Sequence, residues 1–100
     1  MSTLFKMTTD VSKDIVYSCY KLKPIKDPVK ISFNTAATGS LSVFVKYYPD
    51  ASWETLLNGK GEAVVIDLAN PLTFICSEFI QIKFVSKNAT GSYSVLAETL

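Results

Sequence analysis

Hydrophobic and polar residues alternate with a period of two over most of this chain. Val29, Ile31 and Phe33 alternate with Lys30, Ser32 and Asn34. Leu41, Val43, Val45 and Tyr47 alternate with Ser42, Phe44, Lys46 and Tyr48. The same rhythm returns in Val64, Ile66 and Leu68, in Ile80, Ile82 and Phe84, and in Tyr93, Val95 and Ala97. A strand points successive side chains to opposite faces, so each run predicts one face in a core and the other toward solvent or a neighbour. The residues are rich in Val, Ile, Phe, Tyr and Thr, which suit a pleated, half-buried surface.

Turn-forming clusters separate the runs: Pro24 to Pro28, Asn34 to Ser40 with Gly39, Pro49 to Ser52, Asn58 to Gly61, Asn70-Pro71, and Lys87 to Gly91. Asn-Gly in particular favours positive φ and a tight hairpin. Short strands at this spacing predict an all-β fold, a small antiparallel β-sandwich of jelly-roll-like or Ig-like type with about seven to eight short strands. No segment predicts more than one helical turn, and Ala51 to Leu57 reads as such a turn or as a short strand. Residues 1–100 form one domain, with no linker or repeat. Asp14 to Leu22 reads as a strand. Residues 1–14 mix Thr, Ser and Lys with the isolated large apolars Leu4, Phe5 and Met7. That pattern fits a candidate docking arm on another chain, or an ordinary first strand.

Composition sharpens the functional reading. Hydrophobic residues make up 48% of the chain and charged residues only 19%, against roughly 25% charged in an ordinary globular domain. A small domain has much surface per residue. An apolar excess at this size predicts contacts between chains, hence a homo-oligomer or a binding partner. All ten basic residues are Lys, and nine acids balance them to a net charge of +1. Without Arg, the usual bidentate reader of phosphate and guanine, nucleic acid is not an expected partner. No run reaches the length of a membrane-spanning helix, and no basic head with an apolar segment marks the first residues as a signal peptide. The expected site of synthesis and assembly is therefore the cytoplasm, with no membrane partner.

The chain contains no His, which removes the commonest general base and metal ligand. Cys19 and Cys76 lack the spacing of a zinc site or a redox pair; they read as free buried thiols, and a disulfide would matter only in an exported protein. Asp50 and Glu54 near Trp53 are the sole carboxylate pair suggestive of glycoside chemistry, but each also fits a turn or a solvated position. There is no calcium loop and no glycine-rich phosphate loop. The expectation is a protein without enzymatic activity, cofactor or metal.

The aromatic cluster is the strongest candidate site. Alternation sets Tyr47 on the Val43 and Val45 face, toward the core. Phe44, Lys46 and Tyr48 fall on the opposite face, with Trp53 close in sequence. If that face is open, Phe44, Tyr48 and Trp53 form a strip suited to a protein partner or a sugar ring; if a second sheet covers it, they are core. Leu4, Phe5 and Met7 would add contacts from the arm.

The stretch from Ile31 to Leu57 resembles small β-sandwich proteins of tailed-phage virions: a polar Gly turn, a long alternating strand, an aromatic-Pro-Asp turn, then Trp and Leu. Residues 80–95 are similar to their closing hairpin. Ala51-Ser52 stands where such proteins often carry glycine. The resemblance implies a virion structural protein that is a homo-oligomer bound to other capsid or virion proteins. A capsid decoration subunit that stabilises the coat lattice is the foremost form, a tail or fibre subunit the next. A carbohydrate-binding β-sandwich module is the rival from a different class.

Overall fold

The β-branched and aromatic runs do form strands, but they join into longer elements than their turn signals suggest. The computed structural model describes residues 2–100. In chain order the strands are β1 (Ser2–Asp10), β2 (Ile15–Ser18), β3 (Val29–Lys46), β4 (Glu54–Thr55), β5 (Val65–Asp67), β6 (Phe74–Cys76) and β7 (Gln81–Thr99). All pairings are antiparallel and belong to one sheet. The all-β expectation holds, with seven strands.

Two of these strands are not short. β3 has 18 residues and β7 has 19, and they pair with each other from Val29↔Thr99 to Lys46↔Gln81. The clusters Asn34 to Ser40 and Lys87 to Gly91, read from sequence as loops, lie inside them. A straight 18-residue strand would span about 60 Å, yet the longest dimension of the molecule is 33 Å. The long pair is bent, and the sheet folds back on itself into two leaves.

The bend has a definite cause. The pairing register slips between Thr38 and Ser40, which oppose Thr90 and Lys87. Gly39 thus faces two residues, Asn88 and Ala89, in a β-bulge that bends a strand and raises its twist. Gly39 has φ +108°, and a Cβ there would lie 2.5 Å from the Ala89 Cα, so the backbones approach more closely than any side chain allows. The inserted residue also switches which residues of β7 face inward. Ile82 and Phe84 are buried before the bulge, Tyr93, Val95 and Ala97 after it.

The first leaf contains β1, residues 91–99 of β7, residues 29–38 of β3, and β6. The second contains β2, residues 81–87 of β7, residues 40–46 of β3, β4 and β5. Their inner faces share one core that includes Val29, Ile31, Val95 and Ala97 from the first leaf and Val43, Val45, Ile82 and Phe84 from the second. Phe33 meets Phe84 edge-on at 5.7 Å between centroids. Phe5 stacks on Tyr17 at 4.3 Å and joins the leaves along the β1 and β2 side. The result is a sandwich made from a single folded sheet.

Candidate functional site

Alternation leaves each leaf an outer face, and the outer face of the second leaf carries the aromatic residues. Strand register builds it row by row. One row runs Val16, Lys83, Phe44 and Thr55, linked by the pairs Val16↔Lys83, Phe44↔Lys83 and Phe44↔Thr55. The row beside it holds Ser18, Gln81 and Lys46, and the row on the other side holds Val85, Ser42 and Val65. Val16 is 44% exposed and Val65 53% exposed, while Phe44, Val85 and Trp53 are half-buried.

Two lysines gather on the indole of Trp53. The Lys83 ammonium lies 4.5 Å from the ring centroid and that of Lys46 lies 5.0 Å from it. Lys83 is also 5.4 Å from the Phe44 ring. Such contacts contribute about 0.5–1 kcal/mol each at exposed sites. The lysine stems cover apolar surface while the charged heads remain on the outside. Glu54, next in sequence to Trp53, is one of the charges that raise the Tyr47 phenol, after the larger effect of burial. The face as a whole is apolar with a local positive charge, a composition that can dock a protein surface bearing apolar groups and carboxylates.

The six residues singled out from sequence fall into different settings. Phe44 and Trp53 come together on this face through the shared Lys83. Tyr48 lies beyond the end of β3, in a turn closed by the Ala51 N–H donating to its carbonyl at 3.0 Å, and its ring is 62% exposed. Phe5 turns inward. It is 7% exposed, because β1 pairs along β7 and the ring fills the gap beside Tyr17. Within this chain its ring packs into the shared core. Leu4 and Met7 are half-buried and pack against the same core. Tyr47, expected inside, is 38% exposed, because β3 ends at Lys46 and the chain leaves the sheet there.

Sequence reasoning did not single out Lys83, Val16 and Val65. Period two places Lys83 on an outer face, but which residues flank it depends on the pairing of β7 with β2 and β3. The cysteines carry free thiols. Cys19 is buried with its thiol 3.3 Å from the Phe79 carbonyl. Burial pushes Cys19 up to about 11 and Cys76 up to about 12, so neither forms a thiolate readily.

No family model matches the sequence, and no curated protein matches it. Among solved structures, the fold is similar to a structure of Bacillus endospore appendages, described as a family of disulfide-linked pili. The TM-score is 0.47 and the identity 13%, over 99% of this chain and 89% of that chain. At these values the likeness is one of chain path and says nothing of function.

Proposed function

We propose that this chain is a structural subunit that works by docking on other protein surfaces, in the specific form of a capsid decoration protein that binds and stabilises an assembled coat lattice. The observation that carries the docking reading is the outer face of the second leaf. The solvated face of an antiparallel sheet ordinarily carries polar residues; here it presents Phe44, Trp53, Val16 and Val65 around Lys46 and Lys83. The virion setting, assembled in the host cytoplasm, is supported by the sequence resemblance over residues 31–57 and 80–95 alone. A tail or fibre subunit would use the same face. The reading asks for no bond-making chemistry.

The mechanism is mass action. A subunit that binds the assembled lattice and not its dissociated parts stabilises it by RT ln(1 + [L]/Kd) per site. The two half-buried aromatic rings supply desolvated area, and the lysines would set orientation against carboxylates of the coat.

The test is cryo-electron microscopy of particles purified from cells that make the chain, with Phe44→Ala/Trp53→Ala as the paired variant. Density for the chain on the particle with this face against a neighbour is expected, with occupancy falling about tenfold in the variant. A chain found free in solution alone, or bound with Phe44 and Trp53 toward solvent, would end the reading. A glycan array addresses the rival: sugar binding that Trp53→Ala abolishes would favour a carbohydrate module. The ammonium groups over Trp53 count against that outcome, since a sugar ring would have to displace them.

A further inference from the structure

The rim of the first leaf has an unused side. β7 lies along one side of β1, and among the described residues no strand lies along the other. The phase of the free backbone groups follows from one hydrogen bond: the Val11 N–H donates to the Gly91 carbonyl at 3.0 Å. Val11, Thr9 and Met7 therefore aim their backbone groups at β7. Successive residues of a strand aim them to opposite sides, so Lys6, Thr8 and Asp10 aim theirs away from the sheet; of these the Asp10 carbonyl also accepts the Lys13 N–H at 3.3 Å, and one Asp10 carboxylate oxygen accepts from Ser12, leaving its second oxygen for a partner. The pairing is regular from Lys6↔Leu96 to Asp10↔Ser92, since the irregularity of β1 lies earlier, between Thr3 and Phe5. The side chains of Lys6, Thr8 and Asp10 are all exposed and share the outer face.

We propose that this rim pairs with β1 of a second copy of the chain, antiparallel, about a two-fold axis at Thr8. Charge complementarity selects both the occupant and the register. Lys6 and Asp10 are the two charged residues of the strand. An axis at Thr8 sets Lys6 opposite Asp10 of the copy twice over, on one face of the joined sheet. An axis at Lys6 would oppose like charges, and an axis at Met7 would leave both charges unmatched. In the Thr8 register the opposed residues are also the ones whose backbone groups point outward, so hydrogen bonding and charge demand the same alignment. A lysine in mid-strand is ordinarily a guard against edge pairing; Asp10, four residues on, turns it into a selector of register. The proposal does not rest on the outer face of the second leaf, which belongs to the other layer.

Sedimentation velocity of the full chain over a wide concentration range tests it, together with amide exchange at Thr8. A dimer is expected, with the Thr8 amide protected in it. Lys6→Asp opposes two carboxylates at both ends and should weaken the dimer about tenfold or more, and Lys6→Asp/Asp10→Lys should restore it. Thr8→Pro removes an N–H that points away from β7, so a folded monomer is expected, edge strands being where proline is tolerated. A monomeric wild type overturns the proposal. So does a dimer that Lys6→Asp and Thr8→Pro leave unchanged, with the Thr8 amide exchanging freely, because the copy would then be seated elsewhere.

Discussion

The Tyr93 ring is 2% exposed, and its hydroxyl has no hydrogen-bond partner among the described residues. Burial pushes the phenol up to about 12, with Asp14 a lesser cause of the same sign. Below pH 10 the phenol is protonated both folded and unfolded, so it adds no pH dependence. Between about 10 and about 12 the unfolded chain releases the proton while the folded chain holds it, and stability falls as pH rises. Cys19 and Cys76 act in the same sense from their ordinary value of 9.0 upward. Urea titrations should therefore show a midpoint that drops steadily above pH 9. Tyr93→Phe keeps the ring and removes its titration, so its curve should be shallower above pH 10, and at neutral pH it should be as stable as the wild type or up to about 1 kcal/mol more stable. An unchanged slope in the variant would contradict this account. Much of the core was legible at this scale: the alternating Val29, Ile31, Val43, Val45, Ile82, Phe84, Val95 and Ala97 are all buried. Tyr47 was misread because alternation holds only while a strand lasts.

Elements were harder to read than residues, for a physical reason. Gly39, Asn88 and Gly91 all take positive φ, and a residue that permits a turn also permits a bulge. What distinguishes the two is whether the flanking segments continue to pair with another strand, and the partner of β3 lies 35 or more residues away in β7, from Lys46↔Gln81 outward. β1 was obscured in the same way. Its outward residues are polar, its alternation is interrupted near Leu4, and its long partner among the described residues is the last part of β7. The structure gives β1 a definite energetic role through Phe5. Phe5→Ala should cost about 3–5 kcal/mol, the range for a buried aromatic, whereas Thr8→Ala on the outward side should stay within about 0.5 kcal/mol. Denaturant unfolding followed by circular dichroism measures both. A loss below about 1 kcal/mol for Phe5→Ala would mean that β1 is a detachable arm after all.

At the scale of the whole molecule, topology sets the pace of folding. The two central strands are separated by three shorter strands, and Ser2 is bonded through its side chain to Thr99, 97 residues on. Contacts this distant must overcome loop-closure entropy before they contribute. Refolding of the monomer should take milliseconds to seconds, as in other sandwiches, and stopped-flow fluorescence of Trp53 would show it; a microsecond phase carrying the full amplitude would not fit. The aromatic site was half legible for the same topological reason. Phe44 and Trp53 are close in sequence, but Lys83, which bridges them, arrives through the folding of the whole sheet. The pairing of Ser2 with Thr99 bears also on mechanics. Tension applied to the two ends would open the β1–β7 ladder like a zipper, one hydrogen bond after another, rather than shear many at once. A domain built this way resists pulling poorly along its own thread, so any load it carries must pass sideways, through its faces and rims.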